Sequence, residues 1–400
     1  QLGQGGSGAA QRPPGTTVMP VEELRGSEPV QVEAAGVASF VVGARGQLWG
    51  FGSNRSMELG LRRELAQADA PQRVKSMRSC HVVQIVGSRS ASGQAHTLVL
   101  TGAGQVHSFG TSASGALGHG PDVRQTAPLL LRLTLQVPVR QVCAGARHSF
   151  LVTDSGRLYA FGDNGHGQLG IGRRDPASAS EPILVEGGLL ASDRVRVLAA
   201  GDDHAVAYTE SGTLLAWGAN ANGQLGLSNV ADQVSPQVVR ELQGAGVTSL
   251  ACGSRHSLAV ADGGTQVWAF GSNVQGQLGI GESNAAEGFQ LPYPTLCRTL
   301  TKRHKMEVVQ VAAAACHSLA VTQAGEVYSW GDNTYGQLGF PQEGSSSHLP
   351  ARVIAEADVP QAFAARGVAR VWVPTRIVGL GMHRIQAVAT ADMHTLVFAK

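Results

Sequence analysis

The stretch that decides the fold is VRQVCAGARHSFLVTDSGRLYAFGDNGHGQLGIG, residues 139–172. Its opening residues alternate apolar and polar, HSFLVT sets Phe150 and Val152 on one face, and GRLYAFG follows a short turn that carries a glycine. Successive side chains of a strand point to opposite faces, so this period of two with tight glycine turns predicts three short antiparallel strands. The pattern returns as VVQVAAAACHSLAVTQAGEVYSWGDNTYGQLGF at 308–340 and as GQAHTLVLTGAGQVHSFGTSASGALGHG at 93–120. It returns again as GDDHAVAYTESGTLLAWGANANGQLGL at 201–227 and GSRHSLAVADGGTQVWAFGSNVQGQLGIG at 253–281.

A histidine marks six of these units, at His96, His148, His204, His256, His317 and His394. The Gly that closes the QLG element follows it by 22 residues in four units and by 23 in the fifth. Such constant spacing defines one structural unit. The first copy, GVASFVVGARGQLWGFGSNRSMELG, keeps the strands and glycines but carries Ala38 where the histidine should be. A Pro-led apolar segment after each QLG loop (APQRVKSM, APLLLRL, EPILVE, SPQVVREL, LPARVIA) reads as a fourth, edge strand, where the missing proline N–H deprives no partner. Four-stranded units at this spacing, with no amphipathic helix between them, predict a β-propeller, in which the QLG leucine fills the wedge between blades.

The termini extend the count. QLGQGGSGAAQRPPGTTVMPVEELRG aligns with QLGIGRRDPASASEPILVEGG from Gln168 onward, so Gln1–Gly3 reads as a further QLG element and the chain as cut inside a repeat. At the other end RIQAVATADMHTLVFAK supplies two strands and stops. At the repeat spacing, about 13 residues holding a third strand separate Lys400 from Gln1 around the ring. The expectation is therefore an all-β, seven-bladed propeller of four-stranded antiparallel blades. It is a single domain over 1–400, its ring closed by a composite blade from the N- and C-terminal segments.

With six good copies, the repeat resembles that of the regulator of chromosome condensation family, and the resemblance covers essentially the whole chain. It implies the seven-bladed ring. It also implies three kinds of role: exchange factor for a small GTPase, ultraviolet-B photoreceptor, or non-enzymatic scaffold. The photoreceptors read light through tryptophans in GWRHT elements. Here Gln94, Ala146, Asp202, Ser254, Ala315 and Asp392 stand at that position, which disfavours light sensing.

Composition narrows the field further. Lys and Arg number 31 against 29 Asp and Glu, a net charge of +2, so no global field draws nucleic acid or anionic lipid, and direct nucleic-acid binding is not expected. Glycine, at 52 residues, is about twice the roughly 7% of average usage, as a turn-rich fold requires. No run approaches the roughly 18 apolar residues of a membrane span. The five cysteines, Cys80, Cys143, Cys252, Cys297 and Cys316, form no CxxC and are odd in number, so they read as mostly buried thiols of a reducing compartment.

No catalytic, cofactor or metal site emerges. Each repeat His is followed by Ser, Thr or Ala, but neighbours on a strand face opposite ways and cannot form a nucleophile–base pair. One His per blade is also too dispersed to converge on a metal, so these histidines read as structural hydrogen-bonding residues. GHGQLG and GQGGSG satisfy GxGxxG without the strand, helix and acidic residue of a dinucleotide site. Partner-binding candidates lie where units differ: Lys302, Arg303 and Lys305 in a basic run, and Arg366, Arg370, Trp372 and Arg376 in the long 341–381 insert. The functional expectation is a scaffold for protein partners within a large assembly, with regulation of a small GTPase as the alternative.

Overall fold

The computed structural model describes residues 21–61, 65–88, 94–121, 123–281, 290–301, 306–339, 370–377, 384–391 and 394–399. Six four-stranded antiparallel sheets follow one another along the chain, at 29–73, 82–130, 139–184, 195–238, 249–296 and 308–376, and are called blades one to six below. In each blade the strands lie side by side in chain order, innermost to outermost. A two-stranded sheet, Ile385–Ala391 with His394–Ala399, completes the described structure.

The blade number departs from expectation: the described residues form six four-stranded blades, not seven. The last unit has two strands among the described residues, and they pair with each other. Residues 1–20, from which the composite blade was to take its outer part, lie outside the described residues. The hairpin bridges blades six and one. Gln310 of blade six exchanges two hydrogen bonds with Val388 (3.0 and 3.3 Å), and His394 bonds Ser39 of blade one (2.8 Å). Ile385 and Val388 share a core with Leu319 and Val321, and Ala389 and Ala391 one with Phe40.

Burial explains the sequence pattern blade by blade. The second strand is sandwiched between its own sheet neighbours and the adjoining blades, so HSFLVT, HAVAYT and HSLAVT are buried at every residue. Innermost strands expose their second residue, as at Arg140 and Arg196. The repeat His stands in register opposite the Gly of the aromatic–Gly pair, as in His148 with Gly162 and His204 with Gly218. Gly162 has φ +106°, and a Cβ there would come within 2.5 Å of the Arg147 carbonyl oxygen. The QLG leucines Leu169, Leu225, Leu278 and Leu338 are fully buried wedge residues. The closing Gly170 (φ +72°) lets Trp217 of the next blade approach within 2.8 Å of where a Cβ would sit.

The outer strands start earlier than a leading proline would place them. Between the residues paired at Gly162–Ala179 and Ala160–Ile183 the register shifts, so residues 180–182 oppose one residue and Pro182 ends a bulge. Pro71, Pro128, Pro236, Pro294 and Pro374 occupy the same bulge position in the other blades. A bulge residue has no ladder bond to lose, which is why proline fits there. Pro374 identifies the fourth strand of blade six as Arg370–Arg376, RVWVPTR, in place of the expected LPARVIA, which lies outside the described residues. After it, Ile377 N–H bonds the Val327 carbonyl (2.8 Å), as Val185 bonds Leu158 in blade three.

These contacts predict a graded response to glycine replacement. Gly172 also has positive φ (+82°) but nothing within 4 Å of its Cβ position. Gly172→Ala is expected to cost only the left-handed penalty of about 1–2 kcal/mol, and Gly162→Ala that penalty plus an overpacking cost of about 1–3 kcal/mol. Urea denaturation midpoints check the ranking, and equal losses would show that backbone approach plays no part.

Candidate functional site

The repeat histidines form a chain of contacts from blade to blade. His96 bonds Ser149 of the next blade (2.9 Å), His204 bonds Ser257 (2.9 Å) and His256 bonds Ser318 (2.9 Å). His317 reaches Thr390 and Thr395 of the hairpin, and His394 reaches Ser39. Each partner hydroxyl has a single proton and spends it elsewhere: Ser149 donates to the Ala116 carbonyl, Ser257 to Gln224 and Ser318 to Gln277, all at 2.8 Å. The imidazole Nε2 of His96, His204 and His256 must therefore carry the hydrogen and donate. Burial keeps His96, His148 and His394 neutral. It lowers His96 and His394 from the ordinary 6.5 to about 4, and His148 to about 3, where the charges of His96, His204 and Arg147 add to the effect.

His148 is the exception in the chain. The residue that should receive its Nε2–H is Ala205, so both ring nitrogens are buried without a hydrogen-bond partner, and the ring packs edge-on to Phe150 instead. The first blade breaks the chain in the opposite way, with Ala38 in place of the donor.

A second chain of contacts, not recognised in the sequence, runs along the innermost strands. Gln31 exchanges two bonds with the backbone of Ile85 (2.7 and 2.9 Å), and Gln84 does the same with Val142 (3.1 and 3.0 Å). Gln141 donates to the Leu198 carbonyl (2.9 Å), and Gln310 repeats the exchange at Val388. The signal was available in the recurring glutamine of PVQV, VVQI, VRQV and VVQV. At the other positions stand Val197, Ser249 and Ala387, of which Ser249 still accepts from Val311 N–H (3.3 Å).

Three of the seven sequence-predicted binding residues are among the described residues. Lys302, Arg303, Lys305 and Arg366 lie outside the described residues. Arg370, Trp372 and Arg376 belong to the outer strand of blade six, so the 341–381 segment is not one separate insert. Trp372 packs on the QLG loop of blade five, where a Cβ at Gly276 would meet its ring at 3.2 Å and Gly281 N–H bonds its carbonyl. Val234 plays that packing part against Gly167, and Pro292 against Gly223. Arg376 pairs with Glu326 (2.9 Å), while Arg370 is exposed beside Asp332.

Two faces remain for contact with other molecules. One carries the turns before the repeat histidines together with the QLG loops. There Arg147 pairs with Asp163 (2.7 Å) and approaches Asp203 (3.8 Å), and Asp232 holds both His166 (3.0 Å) and Arg174 (2.9 Å). Burial, helped by Asp202, raises the Asp203 carboxyl above its usual range. The opposite face carries the turns between second and third strands and the 3₁₀ helices that lead into each next blade. Among the described residues no three His, Cys, Asp or Glu side chains gather as metal ligands would. No disulfide joins any of the five cysteines, and burial pushes Cys297 up to about 12. No helix among the described residues is long and apolar enough to cross a membrane.

The model of the regulator of chromosome condensation (RCC1) repeat matches residues 45–100, 103–152, 155–208, 211–260, 265–321 and 324–398. Among curated proteins, the chain is 32% identical over 320 residues to the E3 ubiquitin-protein ligase HERC2 of Mus musculus, covering 80% of this chain but 6% of that protein. It is 29% identical over 342 residues to the ultraviolet-B receptor UVR8 of Arabidopsis thaliana, covering 84% of this chain and 72% of the receptor. Among solved structures, Prp20p of Saccharomyces cerevisiae, described with its binding to Gsp1p and histones, superposes with a TM-score of 0.74 at 21% identity. That match covers 94% of this chain and 83% of that one. Human WBSCR16 gives 0.75 at 22%, over 94% and 87%. These likenesses show the fold.

Two predictions follow from the contacts between blades. Ala205→Ser supplies the missing acceptor for His148 and can donate to the Gln168 carbonyl, just as Gln277 receives both Ser318 and Trp330. It should raise unfolding free energy by about 1 kcal/mol, while Ser257→Ala, which strands His204, should lower it by about 1–3 kcal/mol. Chemical denaturation measures both; a destabilised Ala205→Ser protein would contradict the assignment. The second concerns pH. The unfolded histidines titrate near 6.5 but the folded ones only near 3–4, so the unfolded chain binds more protons between those values. Stability is fully present above 6.5 and falls as pH drops toward 4, by up to about 1.4 kcal/mol per pH unit for each such histidine. Denaturation midpoints between pH 7.5 and 4.5 read this slope, and a His96→Gln variant should flatten it.

Proposed function

Given that the chain belongs to the regulator of chromosome condensation repeat family, we propose that it acts without catalysis, as a protein-interaction scaffold whose loops hold partners within a larger assembly. The supporting observation is how the polar groups divide. Those that recur from unit to unit are spent inside the ring: imidazole on hydroxyl, hydroxyl on carbonyl, glutamine on the next innermost strand. Those that differ reach solvent at equivalent turns, as Arg147, Asp203 and Arg255 do in blades three, four and five. A rigid frame with variable exposed loops is how propellers and other scaffolds recognise proteins.

The chain spans 6% of HERC2, whose printed name is that of a ubiquitin ligase. Regulation of a small GTPase is the alternative reading. Its support is the likeness to Prp20p, a protein described with its binding to Gsp1p.

The test is affinity purification of the natural full-length protein from its own cells, beside a deletion of 341–369 that spares the blade strand at 370–376. The intact protein is expected to carry stable protein partners, and the deletion to lose them with its melting midpoint unchanged. Absence of any partner would reject the scaffold reading. A co-purifying small GTPase whose nucleotide release the protein accelerates would establish the alternative.

A further inference from the structure

The near-neutral chain conceals a one-sided charge distribution. No Asp or Glu occurs between Asp69 and Asp122, so the segment leading into blade two and the first three strands of that blade carry no carboxylate. The segment leading into it, 73–81, carries Arg73, Lys75, Arg78 and His81, each exposed. The backbone beneath them is fixed. Val74 N–H bonds the Leu48 carbonyl (2.9 Å), Met77 is buried, and Cys80 N–H bonds the Met77 carbonyl (3.0 Å). The Ala44–Gln47 turn of blade one closes against this segment, since a Cβ at Gly46 would meet the His81 ring at 2.6 Å and Val82 N–H bonds the Gly46 carbonyl. That turn adds a further exposed cation, Arg45. Among the described residues, Arg45, Arg73, Lys75 and Arg78 take part in no ion pair.

Toward the axis the same segment continues into the innermost strand of blade two, where Val83 is 42% exposed. Beside it, on the innermost strand of blade one, Val30 is 54% exposed. The two strands are locked together by the double bond of Gln31 to Ile85. Cations therefore give way to two uncovered valines along one continuous strip over the boundary of blades one and two. Carboxylates on this side of blade one are Glu23, exposed on the 3₁₀ helix that packs against the strand ending at Arg73, Glu28, exposed beside the Ala44 turn, and Glu33, whose side chain accepts from Gly87 N–H (3.4 Å).

We propose that this strip docks an acidic segment of a partner protein, with its carboxylates on Arg45, Arg73, Lys75 and Arg78 and an apolar side chain on Val83 and Val30. The occupant follows from complementarity. A carboxylate-rich chain is steered to unpaired cations, and an apolar side chain covers what polar residues leave open. Four cations make a short track for a nucleic-acid backbone, and valines offer no ring on which a base can stack. The inference rests on the scaffold reading and adds to it the place and the partner's chemistry.

Fluorescence anisotropy of the intact protein tests it with labelled peptides of about twelve residues, enough to cross a blade at about 3.4 Å per extended residue. One peptide is all Glu, one places two Leu at the end of a Glu run, and a single-stranded oligo-dT of equal length is the third probe. The Glu–Leu peptide is expected to bind most tightly, to weaken as salt rises, and to lose affinity about tenfold in the Arg45→Glu, Lys75→Glu, Arg78→Glu triple variant. Val83→Asn, which removes the apolar contact without changing the charge, should weaken the Glu–Leu peptide and leave the all-Glu peptide nearly unchanged. Arg240→Glu, in the corresponding 3₁₀ helix after blade four, should change nothing. Equal losses from Arg240→Glu, tighter binding of oligo-dT, or no peptide binding would each overturn the proposal. The affinity purification separates the two levels of failure. Partners retained by the triple variant would remove this docking site and keep the scaffold, whereas no partners at all would remove both.

Discussion

The ring depends on a relay of two hydrogen bonds repeated at the blade boundaries. A neutral imidazole gives its Nε2 proton to a hydroxyl of the next blade, and that hydroxyl gives its own to a QLG-loop carbonyl. The relay works because each group is satisfied by the next, so polar atoms can be buried in a dry wedge at little cost. Charging the ring would abolish its desolvated fit, which is why burial dominates every shifted histidine.

The glutamine contacts make up for gaps in the relay. Where Ala38 removes the donor between blades one and two, Gln31 still joins the innermost strands, and where Ala205 removes the acceptor between three and four, Gln141 does so. Val197 ends the glutamine contacts between four and five, and there His204 reaches Ser257. Ala387 ends them between the hairpin and blade one, where His394 reaches Ser39. No described boundary lacks both systems. A ring opens at its weakest boundary, so two partly redundant sets of bonds allow individual repeats to drift in sequence.

The outer edge obeys a different constraint. Its strands have one free side, and each places a proline at the end of a three-residue bulge. Proline and bulge together blunt an edge that would otherwise invite pairing with other chains. The same feature assigns RVWVPTR to blade six and turns Trp372, a candidate for recognition on sequence grounds, into a packing residue against Gly276. Exposed apolar and cationic groups are thereby left to other surfaces, among them the boundary of blades one and two.

The amino-acid sequence by itself determined the repeat, the three-strand core of each blade, the wedge leucines and the structural role of the histidines. All of these are local: they follow from period-two alternation, fixed spacing and glycine where backbones meet. Tertiary structure alone decided the rest. Among the described residues six four-stranded blades and a hairpin stand where seven blades were expected, since a full blade needs four segments that pair in space and the last unit's two described strands pair with each other. The partner of each histidine sits some 53 residues or more away, so the orphaned ring of His148 becomes visible only when Ala205 is brought against it. The cations of 73–81 stand out only when the fold sets them beside Arg45 and the open valines at the axis. Each of these is a distance between residues remote in the chain, and such distances are fixed by packing.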